Sequence, residues 1–121
     1  MTVQSTENHR FVGIPIQLHG PRLLLLDTAA LALAKNRFGI NTKLPDIFEN
    51  EMTVEITCCL LWAGVRHQGG GPKLKTIKQI VNDENVERYA LLVARAIFES
   101  HRTQSVDFIE AFKEVHGGDH Q

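Results

Sequence analysis

Across residues 54–65 only Glu55 and Thr57 interrupt an otherwise apolar run. A helix over this stretch is apolar on almost every side, so it must be enclosed on almost every side. Thr53 is its expected N-cap, with Asn50 as the competitor. Arg66 and His67 fall in the expected last turn, where the helix dipole favours cations, and Gly69, Gly70 and Gly71 supply the stop. A chain of 121 residues is one domain's worth, so the rest of it reads as the wrapping of that helix. A central buried helix with no chemistry-bearing side chain reads as a scaffold or binding module, not as an enzyme.

The wrapping begins with a hairpin over residues 11–26. Val12, Ile14, Ile16 and Leu18 alternate with Phe11, Gly13, Pro15 and Gln17, the period of a strand with one face buried. Pro15 cannot donate to a ladder and places that strand at an edge. His19-Gly20 is the expected two-residue turn, and residues 22–26 return as the second strand. Asp27 or Thr28 then caps a helix to about Phe38, with Leu31, Ala34 and Phe38 inward, Lys35 and Arg37 in its last turn, and Gly39 as the stop. Pro45 opens a short turn over residues 46–48.

Pro72 suits the first turn of a further helix to about Asn82, with Leu74, Ile77, Ile80 and Val81 on one face. Another helix starts after residues 83–85 and is lined by Tyr89, Leu92, Val93, Ala96 and Ile97. A break at Thr103-Gln104 and a cap at Ser105 predict a separate last helix with Phe108, Ile109, Phe112 and Val115 at helical spacing. The expected fold is therefore α+β, mainly α: an N-terminal hairpin and four to five helices around the central one, over residues 11–116. Residues 1–10 and 117–121 read as disordered tails.

Charge and chemistry narrow the function classes. Lys and Arg number 13 against 14 Asp and Glu, a net charge of −1, which sets up no global field for nucleic acid or anionic membrane. The polar first ten residues predict no secretory signal peptide, and the longest leucine run, residues 23–26, is far short of a membrane span. Cys58 and Cys59 are neighbours, pointing about 100° apart on a helix, and read as small buried hydrophobes in a reducing compartment. The six histidines show no clustered ligand spacing, so no metal is expected. The Gly69-Gly70-Gly71-Pro72-Lys73 run lacks phosphate-loop spacing and follows a helix, so it reads as a loop. No nucleophile motif is present, and neither a catalytic residue nor a cofactor is expected. Arg66, Lys73, Lys75 and Lys78 form a basic stretch without interleaved base-reading residues; a solvated helix face explains it, and contact with the acidic C-terminal segment of a second subunit is a further reading.

Gly13-Ile14-Pro15-Ile16-Gln17-Leu18, then Arg22-Leu23-Leu24-Leu25-Leu26-Asp27-Thr28-Ala29-Ala30-Leu31 and Phe38-Gly39, resemble the opening of tail assembly chaperones of long-tailed bacteriophages and gene transfer agents. Leu60-Leu61-Trp62-Ala63-Gly64-Val65-Arg66-His67 is similar to the central helix of that family. The resemblance covers residues 11–97. One departure is Lys35 and Arg37, where the family's first helix carries acidic residues.

The resemblance implies a non-catalytic protein of the bacterial host cytoplasm that is absent from the mature virion. It would bind the tape measure protein and keep it soluble while tail tube protein assembles around it. The alternatives are a structural component of the tail or head–tail connector, and a small nucleic-acid-binding regulator. The expected protein-binding residues are Pro15 at the hairpin edge and the Phe108, Ile109, Phe112 and Val115 stripe, serving client capture or a homo-oligomer. No membrane partner is expected.

Overall fold

The computed structural model describes residues 11–104. In order it contains β1 (Ile14–Gln17), β2 (Pro21–Leu24), α1 (Thr28–Phe38), a 3-10 turn (Asp46–Glu49), α2 (Val54–Gly64), a second 3-10 turn (Arg66–Gln68), α3 (Leu74–Ile80) and α4 (Val86–Gln104). The architecture is α+β and mainly α, with the hairpin first and the helices after it, as the periodicities predict. The two tails and the stretch predicted to form a last helix with Phe108, Ile109, Phe112 and Val115 lie outside the described residues.

The hairpin pairs Ile14 with Leu24 and Gln17 with Pro21, antiparallel. Its connection is therefore Leu18-His19-Gly20, three residues instead of the expected two. His19 and Gly20 both take positive φ, 58° and 104°. Arg22 holds this loop by donating from Nε to the Leu18 carbonyl at 3.3 Å and from Nη2 to the His19 carbonyl at 3.1 Å. Ile14, Ile16, Leu18, Leu24 and Leu26 are buried, as alternation requires. Val12 departs from the pattern and is exposed. Gly13 lies between them at φ 130°, a conformation that breaks strand alternation and that side chains disfavour.

The second strand ends earlier than its leucines suggest, because the Leu25 N–H leaves the ladder and donates to the Gly64 carbonyl at 2.9 Å. That bond ties the hairpin to the end of α2. α1 is capped as expected: Asp27 accepts from the Ala30 N–H at 2.9 Å, and Gly39 closes the helix at φ 74°. Thr53, not Asn50, caps α2 by accepting from the Ile56 N–H at 3.1 Å.

α2 is the centre of the molecule and packs against α1, α3, α4 and β2. Seven of its eleven residues are buried: Thr57, Cys58, Cys59, Leu60, Leu61, Ala63 and Gly64. The helix stops at Gly64, so Arg66 and His67 stand in the following 3-10 turn and not in the last α-helical turn. Arg66 nevertheless performs the service expected of a cation there, donating from Nε to the Trp62 carbonyl at 3.1 Å. The His67 Nε2 lies 2.9 Å from the Leu23 carbonyl. Trp62 itself sits at the margin of the core, edge-to-face with Phe38 at 5.4 Å between centroids.

α3 is shorter than predicted, and buried Pro72 precedes it by two residues instead of occupying its first turn. The Pro72 carbonyl accepts from Arg66 Nη2. Between α3 and α4, the Asn82 side chain accepts from the Glu84 and Asn85 N–H groups while the Asn85 side chain accepts from the Asn82 N–H. This reciprocal arrangement works like a capping box at the entrance to α4. α4 buries Tyr89, Val93, Ala96 and Ile97 and half-buries Leu92, the predicted stripe.

Candidate partner-binding groove

α4 carries more apolar surface than its core stripe uses. Ala90, Leu91, Ala94 and Phe98 recur at three- and four-residue intervals, which places them along one side of the helix next to that stripe. Leu91 and Phe98 are 68% and 57% exposed. Opposite Leu91 stands the 3-10 turn Asp46–Glu49, whose backbone points Ile47 into the core and leaves Phe48 half in solvent at 50% exposure.

These two elements bound a hollow of about 230 Å³. Ile47, Leu60, Val93 and Ile97 line its depth, and Phe48, Leu91 and Met52 its mouth, with Glu87 as the one charged residue in the lining. Single exposed apolar side chains are ordinary on a protein surface; here Phe48 and Leu91 stand at the mouth of an apolar hollow, with Phe98 further along α4, which makes this the candidate docking surface.

Pro15 is exposed on β1, paired opposite Leu23 in the two-stranded sheet, and is not among the groove residues. The hairpin meets α4 elsewhere, where Tyr89 Oη lies 3.5 Å from the Gln17 carbonyl. The other expected binding residues, Phe108, Ile109, Phe112 and Val115, lie outside the described residues. Phe48, Met52 and Leu91 were not singled out by sequence reasoning. For Leu91 a signal existed, since residues 90–94 are continuously apolar and exceed what one buried stripe requires. Phe48 gave none, because its partner across the groove is more than forty residues away.

The groove holds no acid–base pair. The thiols lie on α2, where burial and then the Glu55 charge raise both, Cys59 to about 11. At neutral pH they remain protonated, which suits packing better than nucleophilic chemistry. Among the described residues no group of three His, Cys, Asp or Glu side chains is placed to hold a metal ion, and no helix is long and apolar enough to cross a membrane. Comparison with protein-family models, curated proteins and solved structures finds no match to this chain.

Proposed function

We propose that this protein is a non-catalytic tail assembly chaperone that holds an apolar, helical stretch of a tape measure protein in the groove between α4 and the Asp46–Glu49 turn. The observation that carries this reading is the pairing of Phe48 and Leu91 across an apolar hollow, with Phe98 extending the exposed face along α4. A long client rich in amphipathic helix aggregates when its apolar faces are unpaired, and covering them one stretch at a time keeps it dispersed. The resemblance of the hairpin and central helix to tail assembly chaperones supplies the identity of the client. The protein then acts in the bacterial host cytoplasm and leaves before the virion is complete.

Co-expression with the tape measure protein tests this. The wild-type chain is expected to move the client into the soluble fraction and to copurify with it, and to be missing from purified particles. The Phe48→Asp, Leu91→Asp double variant is expected to stay folded, since both side chains already face solvent, and to lose the client. A client that stays soluble with the double variant contradicts the reading. Stoichiometric presence in particles contradicts it in favour of a structural component.

A further inference from the structure

Among the described residues, α4 leaves Leu91 and Phe98 exposed beside the groove, and the sequence carries a second apolar stripe just beyond that helix. α4 is described to Gln104. The stripe begins four residues later: Phe108, Ile109, Phe112 and Val115 recur at helical spacing, flanked by Asp107, Glu110, Lys113 and Glu114. Leu91 and Phe98 are seven residues apart, and so are Phe108 and Val115. On a helix each span is about 10.5 Å long, at 1.5 Å per residue. A helix as short as this stripe allows is marginal in water and needs an apolar surface to lie on.

We propose that residues 108–115 dock in the α4 groove of their own chain, antiparallel to α4, and that a client must displace them to enter. The link is long enough. From Gln104, Phe98 lies about 9 Å back along α4, and a helix packed against α4 lies about 9 Å to the side. Fully extended, the four-residue step from Gln104 to Phe108 spans about 13 Å, which covers both displacements together. With Phe108 beside Phe98, Phe112 comes level with Ala94 and Val115 with Leu91. Ala90 and Ala94 are small residues of the lining, and the hollow of about 230 Å³ has room for the Phe112 ring between Leu91 and Phe48.

Tethering favours this occupant over a second copy of the chain. A stripe joined to α4 by so short a link has an effective concentration on the order of millimolar, above that of a separate molecule in dilute solution. The docking stands on the two stripes and the link between them; the competition with a client rests on the chaperone reading.

The test uses the full chain with Leu91→Cys and Val115→Cys, treated in dilute solution with a short thiol-reactive crosslinker that carries a cleavable disulfide. Cys58 and Cys59 are buried and their thiols are raised, so they stay unreactive. A bridge within one chain is expected, its product keeping the mass of a monomer. Val12→Cys with Val115→Cys, which pairs the stripe with an exposed residue of the hairpin side, is expected to give none. In a second measurement without crosslinking, Phe108→Asp with Phe112→Asp is expected to displace the methyl signals of Leu91 and Met52 and to leave that of Val12 in place. A bridge that joins two chains overturns the proposal in favour of a second copy. Equal bridging from Val12, no bridge from Leu91, or Leu91 and Met52 signals unmoved in the double variant overturns it outright. The bridged chain is expected to lose the tape measure protein and to regain it when the crosslink is cleaved. A bridged chain that still holds the client overturns the client's place in the groove and leaves the docking standing.

Discussion

At the scale of single residues, folding changes the Cys59 thiol strongly. Cys59 is almost fully enclosed, and its Sγ points at Glu55 Oε2 at 3.8 Å. Burial first, and then the negative charge of Glu55, disfavour the thiolate and lift the pKa from 9.0 to about 11. Lys78, in an ion pair with Glu55 at 3.0 Å, opposes part of that effect. A thiol raised in the folded state contributes stability that is complete below its unfolded pKa and is lost as pH climbs through the folded one. The melting temperature should therefore decline between about pH 9 and pH 11, and Cys59→Ala should flatten part of that decline. The thiolate absorbance of Cys59, read as the difference between the native protein and Cys59→Ala, should rise near pH 11. A rise completed by pH 9 would show that Cys59 meets more water than its packing implies.

At the scale of elements, Gly64 decides how closely the hairpin approaches α2. A Cβ at this position would lie 2.4 Å from Leu24 Cδ1 and 3.2 Å from Leu26 Cδ2, both buried side chains. The same residue's carbonyl receives the Leu25 N–H. Gly64→Ala should therefore cost about 1–3 kcal/mol, the range for forcing extra volume into a packed core. Urea unfolding measures it; a variant as stable as the wild type would mean that the hairpin docks loosely. This contact also explains what the sequence left unread. The caps at Asp27, Gly39 and Thr53 are local signals, each made within four residues of the chain, and all three were legible. The end of α2 was not, because it is set by a strand forty residues away and by an arginine that folds back on Trp62. The hairpin loop is three residues long and not two for a similar reason: Arg22 binds its carbonyls, and no turn propensity encodes that.

At the scale of the whole molecule, the order of elements and the buried centre follow from periodicity alone, since an apolar helix and a set of one-sided partners leave few ways to pack. The groove follows from something periodicity does not carry, the meeting of α4 with the Asp46–Glu49 turn. One half of it, the surplus apolar run at residues 90–94, was visible in the sequence; the other half, Phe48, gains its meaning only in three dimensions. The central claim is that a helical client lies in that groove. Methyl spectra of the isotopically labelled protein, recorded with and without the tape measure protein, test it most directly. The account predicts that the methyl signals of Ile47, Met52, Leu91 and Val93 shift or broaden on binding while that of Val12, on the hairpin side, stays in place. A complex that forms with those four signals unmoved would contradict it.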